Sequence, residues 1–493
     1  VGQEIEEGSF TPDDAPRFSV RCRECLAALD EMLAEPGFGA GPPSVGVECE
    51  IGLVDGRAQP APVNTEVHAA AADPHLATEL DRFNLELDTD PAPVAGRPFT
   101  ALAEGLGAGL ARVAAAAEPL GARPIAVGIL PTLRAEHLGR AAMTDSPRYR
   151  ALNDGLRRLR GGPFEIHIDG AEPIDTTWDD VTLEGAATGL HAHLRVPSDR
   201  FAATLNAAQI ATAPALAAAT NSPLLLERVL WHETRVALFG QAVDDRATVT
   251  GAWLPSRAAF GHGWVAAPAD PFAESVALHA PILPVVSGED PLAELHAGRS
   301  PSLYELRLHH GTVWRWNRAV IATGDDPHLR IEIRALPAGP TVADMLANVA
   351  FVIGLTLALA PQMGWMARSM PFDFARRNFY AAARQGLESV LLWPSPEAPS
   401  PRPAPAADLV RRLLPVARDG LVTAGVEGAE ADAWLAVIGE RVARGTTGSV
   451  WQRRALAALE RTQGRSAALA AMTELYLAGS ASGAPVHAWA APG

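Results

Sequence analysis

The chain has 493 residues, 48% hydrophobic and 20% charged, with a formal net charge of −16, ordinary proportions for a globular protein of one large or two to three smaller domains. No basic run or stripe accompanies that charge, which argues against a nucleic-acid partner, because phosphate backbones demand clustered positive side chains. No apolar run is expected to be long enough to span a bilayer, the acidic start (Glu4, Glu6, Glu7) is unlike a signal peptide, and three cysteines are too few for a disulfide scaffold, so a reducing cytoplasm is the expected setting.

All 41 residues counted as lysine or arginine are arginines. That excludes a P-loop lysine, a kinase-type strand lysine and a Schiff-base lysine for pyridoxal phosphate. Any phosphate chemistry falls to arginines, backbone amides and metal ions.

Residues 1–15 read as a loose acidic arm, and the spacing of Val20, Cys22, Leu26, Leu29 and Met32 predicts a helix over 18–33. Cys22 and Cys25 fall inside it with no second pair nearby, so they read as core cysteines. After a Gly/Pro-rich loop at 37–43, Val47, Cys49, Ile51 and Leu53 alternate with Glu48 and Glu50, the period of a half-buried strand. Two carboxylates on one strand face repel each other unless a cation sits between them. The pattern recurs where Phe83, Leu85 and Leu87 alternate with Asn84, Glu86 and Asp88, with Glu79 just upstream at a turn or helix end.

A helix is expected over 101–117, its Gly105, Gly107 and Gly109 reading as packing glycines, then a buried strand over 125–130 and a helical stretch from Arg148. Residues 189–197 form a third patterned strand with His191, His193 and Arg195 on one face. A long helix over 202–220, bent at Pro214, leads to Arg235 on another helix face, and 241–300 is loop-rich. Residues 312–318 have strand character and are expected to pair with 330–334, where Arg330, Glu332 and Arg334 share a face. Helices are expected at 342–359, 374–392 and throughout 409–477, the last interrupted at 445–449, with a proline-dense connector at 394–405. The expected organisation is a core over 1–393 including an arm at 1–43, the connector, and a helical part of the same unit over 406–493.

Collected, the polar strand faces offer Glu48, Glu50, Glu79, Glu86, His191 and Glu332, bordered by Arg235, Arg318, Arg330 and Arg334. Carboxylate oxygens with few imidazoles suit Mg²⁺ or Mn²⁺ rather than thiolate-bound zinc. Several such cations in one acidic cup are what a nucleoside triphosphate needs, with arginines gripping phosphate or carboxylate at the rim.

Six motifs in order carry a resemblance to glutamate–cysteine ligase type 2, a family of bacterial carboxylate–amine ligases. They are Gly46-Val47-Glu48-Cys49-Glu50; Glu79 with Glu86; Gly189-Leu190-His191; Asn221-Ser222-Pro223 with Glu233-Thr234-Arg235; Thr312-Val313-Trp314 with Arg318; and Ile331-Glu332-Ile333-Arg334. The resemblance covers 45 to the last helix and implies an α+β fold: a mainly antiparallel, curved sheet of the glutamine-synthetase kind with helices on its outer side. It implies that Glu50, Glu79 and Glu86 hold one Mg²⁺ (or Mn²⁺) and Glu48, His191 and Glu332 another. Arg334 would face phosphate and Arg235 would orient the acid, with Arg318 beside the reacting groups and Arg330 near the nucleotide. The turn from Gly445 through Gly448 to Arg453 would lie near the nucleotide or close the site. The implied reaction phosphorylates a carboxylate with ATP and transfers the acyl group to an amine, glutamate and cysteine being the first expectation. A different amine, amino acid or peptide, or a catalytically silent nucleotide-binding relative, are the alternatives. Small-molecule substrates are implied, with neither nucleic acid nor membrane as partner, and a homo-oligomer stays open. The chain departs from the family pattern at Cys49, at His193, where some members carry another polar residue, and at Glu227, where glycine is common.

Overall fold

A computed structural model describes residues 5, 10–11, 13–247, 253–398 and 400–490, and most of the arm expected at 1–15 lies outside them. Along the chain come β1 (Ser44–Val54), β2 (Leu76–Thr78), β3 (Asn84–Asp88), β4 (Ala92–Pro93), β5 (Arg123–Ile125) and the hairpin β6–β7 (Phe164–Ile168, Ile174–Trp178). Then follow β8 (Gly189–Val196), the small hairpin β9–β10 (Leu224–Leu225, Arg228–Val229), β11 (Asn317–Ala322), β12 (His328–Pro337) and the hairpin β13–β14 (Val390–Trp393, Arg402–Pro405).

Eight of these strands form one antiparallel sheet in the order β11-β12-β8-β1-β3-β2, with β4 and β5 also on β1, and it curls into a half-barrel. The fold class is the expected α+β. Register explains why the chain tolerates only one arrangement. Glu50 lies opposite Glu86, Glu48 opposite both Asp88 and His191, and Glu332 opposite both His193 and Arg318. The alternate residues, among them Cys49, Ile51, Leu85, Ile331 and Ile333, are completely buried on the other face. Helices Pro98–Ala117, Ser198–Ala219 and Val342–Leu359 pack there, and Cys49 Sγ lies 3.8 Å from Met345 Sδ. Fully burying each large aliphatic side chain contributes about 1.5–3 kcal/mol, and a one-residue slip would exchange the apolar set for the charged one.

Cys22, Cys25 and Cys49 are buried free thiols, and the first helix runs Asp14–Ala34. Several expected boundaries change. The strand expected over 125–130 ends at Ile125, because the carbonyls of Val127 and Gly128 accept from Thr188 rather than from a strand. Residues 312–316 stay outside the hairpin; Trp314 and Trp316 exchange backbone hydrogen bonds with Ala259, and pairing with β12 begins at Asn317. The helix expected to reach 392 ends at Gln385. The last four residues of the proline-dense connector are β14, paired with β13. Leu226 and Glu227 form the two-residue turn of β9–β10 with φ of 47° and 64°, and Glu227 Oε1 accepts from Ser466 Oγ at 2.7 Å. That left-handed backbone is what glycine adopts without strain.

One expectation about membranes needs correcting. The run Val342–Ser369 is long and apolar enough to cross a bilayer by length and composition, but 78% of its apolar window is buried inside the protein. Its hydrophobicity is that of a helix enclosed on all sides, with Ser198–Ala219, Ala406–Thr423 and Gly428–Arg444 around it. Asp344 in its first turn is fully buried and pairs with Arg441 at 2.8 Å, while its other oxygen accepts from Thr341 Oγ1 and from the amide of Val486. This ion pair ties the C-terminal helices to the core.

Arg441→Met would leave Asp344 buried without its cation. The expected loss is about 3–5 kcal/mol of unfolding free energy, read as a lowered denaturant midpoint; a midpoint within error of wild type would show that the pair is dispensable.

Candidate active site

A cavity of about 430 Å³ opens on the charged face of the sheet. His191 is its hub: Nδ1 lies 3.4 Å from Glu48 Oε2 and 3.6 Å from Glu332 Oε1, and Nε2 lies 3.6 Å from Glu50 Oε1. The imidazole reaches all three because β8 runs between β1 and β12, and position 189 is a glycine. A Cβ on Gly189 would sit 3.0 Å from Arg235 Nη1 and 3.1 Å from His191 Nε2, while its amide donates to Glu50.

Three groups of side chains bring one ligand atom each within 4.8 Å of one another: Glu48, His191 and Glu332; Glu50, Glu86 and His191; and Glu48, Glu86 and Asp88. The first matches an expected ligand set in full. The second differs from expectation in that His191, not Glu79, completes it. Glu79 lines the same cavity from the edge of the sheet, where it follows β2, a strand the sequence reading did not separate. Its Oε2 accepts from the Leu80 amide at 3.1 Å and lies 3.5 Å from the Tyr149 hydroxyl. This donor set of carboxylate oxygens around one imidazole fits Mg²⁺ or Mn²⁺.

Charge in the cup is divided unevenly. Burial alone would push Glu48 and Glu332 up, yet His193 and His191 hold the first, and Arg318 and Arg334 the second, well below the usual carboxylate range. Arg318 Nε reaches Glu332 Oε2 at 2.6 Å, and Arg334 pairs with the other oxygen. Away from these cations, burial and the Glu48 charge push Glu86 up to about 7, and burial with the Glu50 charge pushes Glu184 up to about 8. Glu79 is driven well up by burial and by Glu86 and Glu50. His191 is held below its usual value by burial and by Arg334.

The expected arginines separate into two groups. Arg318, Arg330 and Arg334 line the cavity, joined by Arg307 from the short helix Tyr304–His310. Arg235 does not line it. It is buried behind Gly189, where Nε meets Glu233 Oε1 at 2.9 Å and Nη2 donates to Ala335 O at 2.9 Å. Ala335 lies in the irregularity of β12 between Ile333 and Leu336, so Arg235 braces the bulge that presents Arg334. The Gly445–Arg453 turn is also away from the cavity. Gly445 ends helix Gly428–Arg444 with φ of 58°, Gly448 packs so tightly on Asn221 that a Cβ would overlap its side chain, and Arg453 donates to Leu230 O. The glycines that read as a nucleotide turn serve helix termination and close packing.

Asp88, which continues the alternation of β3 and joins Glu48 and Glu86 in the third group, is not among the expected ligands. Several lining residues are not legible in the sequence either. Glu184 lies in a single helical turn, Thr182–Gly185, too short to show a period. Tyr149 and Arg148 sit at the start of an expected helix, and Arg307 and His310 come from a seven-residue helix. Nothing in their local spacing points to a site.

Comparison with known proteins adds the family. Residues 44–471 match the family described as Glutamate-cysteine ligase family 2. A putative glutamate–cysteine ligase 2-2 of Mycolicibacterium vanbaalenii is 36% identical over 134 residues, which span 27% of this chain and 35% of that protein. The crystal structure of a glutamate–cysteine ligase of Francisella tularensis in complex with AMP superposes with a TM-score of 0.55 at 12% identity, covering 89% of each chain, and shares the fold.

Proton linkage gives a test of the uneven charge. An unfolded glutamate ionises near 4.5, whereas folded Glu86 and Glu184 keep their protons to about 7 and 8. The folded state therefore holds more protons between these values, and stability is lost as pH rises through 7 to 8. Histidines held neutral by burial, such as His310 at about 3, change stability only below the usual imidazole range. The metal-free protein is expected to show a lower urea midpoint at pH 8.5 than at pH 7, with the drop reduced in Glu184→Gln. A midpoint that rises over this interval would contradict the assignment.

Proposed function

Because the chain belongs to glutamate-cysteine ligase family 2, we propose that it is an ATP-dependent ligase joining a substrate carboxylate to an amine through an acyl phosphate, with glutamate and cysteine the first candidates. The observation that carries this reading is the set of three overlapping carboxylate groups on one sheet face, two of them sharing the His191 imidazole, bordered by Arg318, Arg330 and Arg334. Mg²⁺ or Mn²⁺ in such a cup bridges nucleotide phosphates and offsets the charge that builds up in phosphoryl transfer.

In this reading Glu48, His191 and Glu332 hold one cation and Glu50, Glu86 and Glu79 the other. Arg334 is locked by Glu332 with its planar fork turned toward the cavity, suited to a phosphoryl oxygen. Arg318 grips the second Glu332 oxygen and orients it from the opposite side. Arg330 and Arg307 form a positive end two strand positions from Glu332, suited to a phosphate or a second carboxylate of the substrate. Arg235 contributes by bracing the β12 bulge and not by touching the acid. The wall of Leu152, Phe272, Trp314 and Val320 is apolar and also favours an amine with an apolar side chain. A catalytically silent relative would gain nothing from keeping so many like charges buried together. The free buried cysteines accord with a cytoplasmic setting.

A screen of amino acids, peptides and amines for ADP release, with ¹⁸O in the acid's carboxylate, tests the reaction. One ¹⁸O is expected in the released phosphate, because a carboxylate oxygen bridges to phosphorus before the amine attacks. AMP with pyrophosphate would instead mean an adenylate and overturn the reading. Glu332→Gln and Arg334→Lys are each expected to cut turnover by about 10²-fold or more with folding retained, and near-normal turnover in either would remove that residue from its role.

A further inference from the structure

Arg307 and Arg330 differ from the other arginines of the cavity in what they touch. Arg318 and Arg334 are engaged by Glu332, whereas neither Arg307 nor Arg330 has a carboxylate within ion-pair distance among the described residues. Arg330 sits on β12 across from Val320 and Arg195, and Arg195 is already held by both oxygens of Asp326, at 2.6 and 2.8 Å. The Arg330 Nε is buried with no acceptor among the described residues. Arg307 comes from outside the sheet, on the helix Tyr304–His310, and its Nη1 donates to Ser302 O at 3.3 Å and to Thr323 Oγ1 at 3.2 Å. Buried Glu305 anchors that helix by accepting from the Ser287 amide at 2.7 Å and from the Ser287 hydroxyl at 2.9 Å. Burial and the Arg330 charge hold the Arg307 guanidinium below its usual range. Two half-buried like charges facing one space are costly unless an anion joins them.

Strand register says which anion. Along the charged face the rows run from Arg330 with Arg195, through Glu332 with His193, to Glu48 with His191 and then Glu50 with Glu86. At the first row the cavity is lined by the two guanidiniums, and at the last by carboxylates. In phosphoryl transfer the attacking and leaving oxygens stand roughly in line across the phosphorus. With the transferred group at Glu332 and Arg334, the acid therefore approaches from one end of the cup and the rest of the nucleotide leaves toward the other. The carboxylate end repels a polyphosphate, and the arginine end attracts it. Arg330 stands two positions from Glu332, about 7 Å along the strand, which is within reach of the phosphate next to the one transferred. We infer that Arg307 and Arg330 clamp the leaving phosphate of the nucleotide, the group that ends as the terminal phosphate of ADP. As the acid's carboxylate oxygen bonds to the γ-phosphorus, the bond from that phosphorus to the bridging oxygen breaks. Its electron pair stays on the leaving phosphate, where the two guanidiniums meet the new charge. The inference deepens the ligase reading and rests on it for the nucleotide, but its test is a binding measurement that needs neither acid nor amine.

Calorimetry on the whole chain with Mg²⁺ compares ADP with AMP, which lacks the clamped phosphate. Arg307→Gln and Arg330→Gln are each expected to weaken ADP by about ten-fold or more while AMP affinity changes by less than about two-fold. Thr323→Val removes only the hydroxyl that holds Arg307 and should weaken ADP by about three-fold, again sparing AMP. This milder change decides the matter if loss of a guanidinium disturbs folding. Equal losses of ADP and AMP, or ADP affinity unchanged in all three variants, would overturn the proposal. So would an unchanged ADP affinity with a raised KM for the acid, which would make the pair a carboxylate subsite. Amide formation is scored separately. Discrimination between ADP and AMP that depends on both arginines, without any amide product, would refute the ligase reading and leave the clamp standing. Amide formation with ADP binding indifferent to both arginines would do the reverse.

Discussion

The structure depends on keeping Glu332 ionised where no water reaches it. The side chain is completely buried, and burial of an isolated carboxylate is prohibitive. It is tolerated here because Arg318 and Arg334 take one oxygen each and His191 lies beside them. Those partners come from β11, β12 and β8, so the three strands cannot shift register without stranding a charge. Packing of Ile331 and Ile333 on the reverse face enforces the same register from the apolar side. Charge and hydrophobicity thus specify one alignment twice over.

A second layer holds this arrangement from behind. Glu233 and Arg235 form a buried pair whose guanidinium reaches the carbonyl of Ala335 and lies over the Trp316 ring, 5.5 Å from its centroid. Glu233 also accepts from the Asn221 amide, and Asn221 bonds to Ala338 O, the Tyr476 hydroxyl and Gln452. The path runs from the C-terminal helices to the end of β12. It accounts for motifs that look functional in sequence yet touch no part of the cavity: they set the position of the strand that does.

Charge is balanced unequally across the cup. Its β12 side is neutralised by arginines, but its β1–β3 side sets Glu50 against Glu86 and Glu48 against Asp88 across the ladder. Cross-strand like charges destabilise a sheet, and the protein relieves the repulsion by holding protons on Glu86 and Glu79. A divalent cation would relieve it better, which is why the acidic half of the cup and not its arginine rim points most directly to a metal.

How much of this was legible in one dimension follows from the range of each signal. Strand alternation is local, so the faces of β1, β3, β8 and β12, and with them Glu48, Glu50, Glu86, His191 and Glu332, could be read from the sequence. The same local rules led to the helical cysteines as core residues. They failed where a residue's neighbours are distant in the chain. Arg235 resembles a substrate arginine and Arg453 a nucleotide-side arginine until their carbonyl partners, brought in from elsewhere, are known, and Gly445 and Gly448 resemble a nucleotide turn until their packing is seen. Glu184, Arg307 and His310 sit on elements of one or two turns, too short for any period, and enter the cavity only because the sheet curls toward them. The sequence by itself determined which strand faces are charged, because side-chain alternation is a property of the backbone. Only the tertiary structure decided which of those charges meet, because hydrogen-bond register between strands hundreds of residues apart is chosen by the packing of the whole.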